Sequence, residues 1–274
     1  MAVASGGQAA APPKYRFPRP QLALFGLDLL LGRPRSFVRD CQTFLRTNPY
    51  PRRVEGIENV PREGSFVLVA NHYARDGLGP YHCGMAITAA IAQWRPALPN
   101  IRWVITSEWY GRRIGPLPVP PSVFRWTFRR VAHVHGLVVM PRQATQAMAR
   151  AAVLLDIARL VKQQPIGLMP EAAGSGTLRE PLEGSGLFLH SLAARGIPLI
   201  PVGIWEEGDT LVMTFGAPLV LSGIEGDRQA RDRQAAQQVM VAIGRLLPRR
   251  QWGVYEEAIE RSPPRAGSSR HTGL

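Results

Sequence analysis

The chain has 274 residues, 45% of them hydrophobic. That is enough apolar surface for one large core and excludes an intrinsically disordered polymer. The net charge is +13, carried almost wholly by arginine, since Lys14 and Lys162 are the only lysines. Such a balance suits a polyanionic partner (nucleic acid, anionic lipid or a phosphorylated substrate) and equally an arginine-rich surface that is merely soluble. Cys41 and Cys83 match no metal spacing and no disulfide framework, which points to a reducing cytosol.

Residues 1–20, rich in Ala, Gly and Pro, read as a disordered tail with no secretory pattern. The apolar run Leu22–Leu31 is interrupted by Asp28 and is too short to span a bilayer, so membrane contact would be peripheral. From Gln21 to about residue 50 the apolar spacing is helical, broken by Gly32 and Pro34. Helices with basic flanks and an apolar face can lie in a membrane interface or pack on a core.

Strand and helix signals then alternate. Strands are predicted at Ser65–Ala70, Ile101–Thr106, Gly136–Met140, Ile166–Met169, Leu199–Ile204 and Thr210–Phe215. Helices are predicted at Tyr81–Ala92, Ser122–Val134, Thr145–Gln164, Gly186–Arg195 and Gln229–Leu247. Short apolar runs alternating with helices define a single α/β domain over 51–250, with a mostly parallel central sheet flanked by helices. From Ser262 to the end, Pro, Ser, Gly and Arg read as a second mobile tail.

Four clusters could carry chemistry. The turn Asn71-His72-Tyr73-Ala74-Arg75-Asp76-Gly77 follows an apolar strand. The C-terminal edge of a parallel sheet is a usual place for a site. His72 is the side chain suited to take a proton near neutral pH, and a carboxylate can orient its ring; a lone turn histidine can also be structural. The run Gly136–Pro141 ends in Arg142, which could grip a phosphate through two parallel hydrogen bonds or stand exposed at a strand end. Met169-Pro170-Glu171 leads into a turn of small residues, where Glu171 could orient a base or hydroxyl, or close an ordinary turn. Ile197–Ile204 carries Pro198 and Pro201, fitting an edge strand or a tight pocket wall.

Between the first two clusters, Trp103–Arg130 interleaves Trp109, Tyr110, Phe124, Trp126 and Phe128 with Arg112, Arg113, Arg125, Arg129 and Arg130. That mixture suits an anionic membrane interface, single-stranded nucleic acid, or a core helix with a solvated basic face. No nucleic-acid-binding module is recognisable, and no nucleic acid is expected as a partner.

Taken in order, the blocks Asn71-His72, Gly136 to Arg142, Pro170-Glu171 and Ile200-Pro201-Val202, with the lead-in Gly56-Ile57-Glu58-Asn59-Val60-Pro61, resemble the four-block signature of the glycerophospholipid (lysophosphatidate-type) acyltransferases. The resemblance spans roughly residues 54–219. It implies a general base, His72, that deprotonates a hydroxyl of glycerol phosphate or a lysophospholipid for attack on the thioester of acyl-CoA or acyl carrier protein. It implies Asp76 as the acid orienting His72, Asn71 and Arg75 beside the base on the substrate side, and Arg142 as a phosphate ligand. Glu171 would belong to the acceptor site and Pro201 to the pocket wall. No metal or redox cofactor is implied, because the thioester is a co-substrate. The implied setting is the inner face of the cell membrane, with an anionic lipid surface, a phosphorylated glycerolipid acceptor and acyl carrier protein as partners.

Two departures stand out. Three residues rather than four separate His72 from Asp76. The family's Pro-Glu-Gly-Thr-Arg becomes Pro170-Glu171-Ala172-Ala173-Gly174, with a delayed echo in Gly176-Thr177-Leu178-Arg179. These changes leave open a relative that keeps the fold for lipid binding without turnover.

Overall fold

The apolar run Phe66–Ala70 has no polar face, so it is stable only with both sides covered. In the structure, a computed structural model describing residues 13–98, 100–106, 113–114, 117–118, 120–141, 147–171 and 173–262, Val67–Ala70 forms β2 and is wholly buried. Ahead of it come α1 (Arg19–Leu31), α2 (Phe37–Thr47) and β1 (Arg52–Glu55). After it come α3 (Pro80–Trp94), β3 (Arg102–Thr106), the two-residue strands β4 (Arg113–Ile114) and β5 (Leu117–Pro118), and α4 (Pro121–His135). The chain continues through β6 (Val138–Met140), α5 (Ala147–Leu160), β7 (Ile166–Leu168), α6 (Ser185–Ala193), β8 (Leu199–Glu207), β9 (Thr210–Phe215), α7 (Arg228–Gly244) and α8 (Glu256–Arg261).

The main sheet has seven strands in the order β1-β9-β8-β2-β7-β3-β6. The five from β8 to β6 run parallel; β9 turns back on β8 as a hairpin, and β1 runs alongside β9. This is the α/β architecture expected. Strand β1 is an exposed edge of Arg52, Arg53, Val54 and Glu55, and its charges discourage further strand addition.

One face of the sheet, with Leu68, Ala70, Ile200, Val202 and Ile204, packs on Phe44 of α2 and Cys83, Ile87 and Ile91 of α3. The other, with Val67, Val69 and Leu199, packs on Ile157 of α5, Leu189 and Leu192 of α6, and Val239, Met240 and Ile243 of α7. Across the centre, Gly167 leaves room for the Trp103 ring, whose indole N–H donates to Thr88 Oγ1 at 2.9 Å; a Cβ on Gly167 would lie 2.5 Å from that ring.

Strand β8 is internal, so Pro201 is not on an edge. It is tolerated because the β9 ladder begins one residue later, at Val202 opposite Phe215, while the Pro201 carbonyl still accepts from Gly216 N–H at 2.9 Å.

Of the expected N-terminal tail, residues 1–12 lie outside the described set, whereas 13–18 are docked. Tyr15 is buried, and Asn48 takes both the N–H and the C=O of Arg16. Beyond Ser262 the second expected tail also lies outside the described residues.

Candidate active site

Parallel strands deliver their C-terminal ends to one edge of the sheet, and β2 and β7 there release the first and third clusters. After Ala70, Asn71 continues the ladder with its side chain. Its Oδ1 accepts Ile204 N–H at 2.8 Å and its Nδ2 donates to Ile204 C=O at 2.9 Å. Both ends of this buried amide are therefore committed to β8, which makes Asn71 an anchor of the loop.

His72 follows, partly buried. Its backbone N–H donates to Glu171 Oε2 at 2.5 Å, and its C=O accepts Ser175 N–H at 3.0 Å. Ala74 N–H returns to Ser175 C=O at 3.1 Å, so the two loops pair like a short parallel ladder. Gly174 makes this approach possible: a Cβ there would lie 2.8 Å from Ala74 Cβ and 3.2 Å from the His72 carbonyl.

Glu171 is buried, at 3% exposure, and its other oxygen accepts Arg179 N–H at 2.8 Å. Burial pushes its carboxyl up to about 7, against the pull of those two N–H donors and of the Arg179 charge. The carboxylate thus bridges the histidine loop to the segment carrying Arg179, whose side chain is exposed.

The other residues of the first cluster take different partners. The Arg75 guanidinium forms a two-point pair with Glu206, which also lies 3.4 Å from the Tyr73 hydroxyl. Arg75 and Glu206 side chains are 18% and 6% exposed, so this is an internal ion pair and the Arg75 charge is spent within the fold. Asp76 sits at the tip of a tight turn in which Arg75 and Leu78 exchange backbone hydrogen bonds, with Gly77 at φ +79°. Its side chain is 89% exposed and pairs with Lys14 Nζ at 3.0 Å, and that contact lowers its pKa. Next to the turn, His82 caps α3 by accepting Gly79 N–H on Nδ1, and burial holds its pKa down at about 4.

Arg142 lies outside the described residues, and so do Trp109, Tyr110 and Arg112. Pro201 faces Gly216 on the α7 side of the sheet.

Beside Pro170, a pocket opens between α5 and α6. Val104, Met140, Leu154, Leu168, Met169, Leu182, Phe188 and Leu189 line it, with Arg150 and Glu183 as charged members. Among the described residues no three His, Cys, Asp or Glu side chains gather as metal ligands.

Sequence reasoning missed Glu206. A carboxylate closing an apolar strand ordinarily reads as exposed, and its only signal was an acidic pair at the end of Leu199–Ile204.

The fold and site together define a parallel α/β domain with a histidine loop at the carboxyl edge of its sheet, tethered by a buried glutamate. A solved structure similar to this chain is the 1-acyl-sn-glycerophosphate (LPA) acyltransferase PlsC from Thermotoga maritima, with 17% identity over 74% of this chain and 76% of that one, and a TM-score of 0.45. No family model matches the sequence, and no curated protein does.

Proposed function

We propose that the chain is an acyltransferase that moves a fatty acyl group from an acyl thioester to a hydroxyl of a glycerol-phosphate or lysophospholipid acceptor. The observation that carries this reading is the Glu171 bridge, because it joins the first and third blocks of the resemblance at the end of the sheet where a site belongs. His72 takes the acceptor's proton as its oxygen attacks the thioester carbonyl. The carbon–sulfur bond then breaks, and the imidazolium returns the proton to the departing thiolate. This sequence balances with no metal or redox cofactor.

The apolar pocket beside Pro170 fits an acyl chain. The exposed Arg179, one step from Glu171 through its backbone, supplies a cation for the acceptor's phosphate. The same role for Arg142 rests on the sequence resemblance.

A membrane surface is the proposed place of work. No described helix is long and apolar enough to cross a membrane. Helix α1, however, exposes Leu22, Leu24, Leu27, Leu30 and Leu31, and α4 beside it exposes Val123 and Trp126. Phe25 stacks on His135 at 5.2 Å and Arg130 caps Leu30 C=O at 2.8 Å, which fixes α1 on α4 with those leucines outward. Arg125 and Arg129 stand exposed on the same helix, as an anionic interface requires.

The second reading, a lipid-binding relative without turnover, draws on the commitment of Asp76 to Lys14. One experiment separates the two. Purified wild type and His72→Ala are given labelled acyl-CoA or acyl carrier protein thioester with glycerol phosphate and a panel of lysophospholipids, and both are floated with anionic vesicles. Transfer that disappears in His72→Ala, with flotation intact, establishes the enzyme. Flotation with no transfer from any donor favours the binding protein.

A further inference from the structure

We propose that residues 14–17 form a strap that sets the position of the His72 loop, with Tyr15 as a positioning residue and Asp76 as the strap's anchor. The proposal rests on His72 being the base.

The strap lies across the turn that follows His72. Tyr15 N–H donates to Gly77 C=O at 2.9 Å, and Lys14 Nζ meets Asp76 at 3.0 Å. Gly77 has φ +79°, and a Cβ there would lie 2.8 Å from Lys14 Cγ, so the strap passes directly over a glycine that leaves it room. On the other side the strap is tied to the segment that leaves the C-terminal end of α2. Asn48, buried at 3% exposure, returns both hydrogen bonds to Arg16, and the Tyr50 hydroxyl donates to Lys14 C=O at 3.2 Å.

Between these ties the Tyr15 ring is driven into the core. It stands edge-on to Tyr50 at 5.0 Å and lies 5.9 Å from both Phe44 and His82. Its hydroxyl is buried and makes no hydrogen bond among the described residues. The ring, not the hydroxyl, therefore does the holding. What it holds is the Arg75–Leu78 turn, which begins three residues after the residue whose placement governs proton transfer. A shift of about 1 Å in such a group can lower a rate roughly a hundredfold.

This assignment gives Asp76 a partner on the strap instead of on the imidazole. An exposed ion pair contributes little, so the anchor is secondary to the buried ring. Loss of either charge removes the same contact, and the two losses should be equal.

The test compares full-length wild type, His72→Ala, Tyr15→Ala, Tyr15→Phe, Asn48→Ala, Lys14→Met and Asp76→Asn. Two readouts are taken: steady-state acyl transfer to a lysophospholipid, and hydrogen exchange of the Arg75 and Leu78 amides that close the turn. Tyr15→Ala is expected to lower kcat roughly tenfold or more with little change in KM for the thioester, and to speed exchange at both amides. Tyr15→Phe is expected to restore both to within about twofold. Asn48→Ala, remote from His72, releases the strap should Tyr15→Ala fail to fold, and should move kcat and exchange the same way. Lys14→Met and Asp76→Asn should match each other.

Unchanged exchange at Arg75 and Leu78 in the strap variants overturns the strap itself. Faster exchange with unchanged kcat overturns its positioning role. An Asp76→Asn rate far below that of Lys14→Met overturns the anchor assignment. Equal transfer by wild type and His72→Ala overturns the base reading, and the exchange result still decides whether the strap holds the turn.

Discussion

The Glu171 carboxylate accepts the backbone N–H of His72 on one oxygen and that of Arg179 on the other, at 2.5 and 2.8 Å. A residue 99 positions downstream thus fixes the peptide that carries the proposed base. Because the contact is to the backbone, Glu171 orients the loop and leaves the imidazole ring to other partners.

Replacing Glu171 with Gln should expose this role. An amide can accept only one of the two N–H groups and turns its own donors on the other. Burial raises the Glu171 pKa from 4.5 to about 7. The folded chain therefore holds this proton more tightly than the unfolded chain does, so the Glu171 contribution to stability should fall as pH rises from about 4.5 to 7, while His82, held down at about 4, contributes a slope of opposite sign over much of that window. At about 1.4 kcal/mol per pH unit the loss is roughly 3 kcal/mol at most. The Glu171 contribution is read as the difference between wild type and Glu171→Gln in urea unfolding across that window, where wild-type stability should fall more, or rise less, with pH than that of the variant. The same slope in both proteins would remove Glu171 as its source.

Breaking the internal pair should cost the fold rather than substrate affinity. Glu206→Gln leaves the Arg75 charge without its counter-charge in a mostly dry place, a change that typically costs about 3–5 kcal/mol. Denaturant titration beside acceptor KM checks this. A stable Arg75→Met variant with a strongly raised acceptor KM would return Arg75 to the substrate.

The third cluster offers a contrast between two positions. Gly174→Arg restores the residue type common in the resembling family, but its Cβ alone would crowd Ala74 and His72, so we expect a loss of about 1–3 kcal/mol and of transfer. Arg179→Ala should leave the thermal midpoint in place and raise KM for the phosphorylated acceptor several-fold. Acceptor KM unchanged in Arg179→Ala would end its assignment to the phosphate.

On α1, Leu24 and Leu30 are 60% and 64% exposed. Changing both to Glu should leave folding intact and weaken flotation with anionic vesicles by about tenfold, and wild-type flotation should decline with added salt. Vesicle binding that ignores both changes would move the lipid contact elsewhere.

Most of the fold was legible because its strands are apolar runs buried on both faces. Thr210–Phe215 was delimited as observed, and α3 extends one residue before and two after the predicted Tyr81–Ala92. Strand β1 was missed because Arg52-Arg53-Val54-Glu55 carries no apolar pattern; the free side of β9 makes it a strand. The site was legible where chemistry coincides with a strand end, at His72 and Glu171. It was illegible where a tight turn decides direction. Spacing from His72 to Asp76 does not reveal that Gly77 swings the carboxylate outward onto Lys14, or that Arg75 points back to a glutamate on β8.

The order of the sheet has a consequence for biosynthesis. The His72 loop is made early, yet Glu171 lies 99 residues later and Ile204, which holds Asn71, 133 residues later. At about 5–20 residues per second, the ribosome needs on the order of 10 s to supply them. During that interval β2 and the apolar helix α3 emerge without the strands that cover them, a span in which a nascent chain is prone to chaperone capture or aggregation. The proposed catalytic loop comes into being only after nearly the whole domain has left the ribosome, so an incomplete chain would carry the histidine without the site.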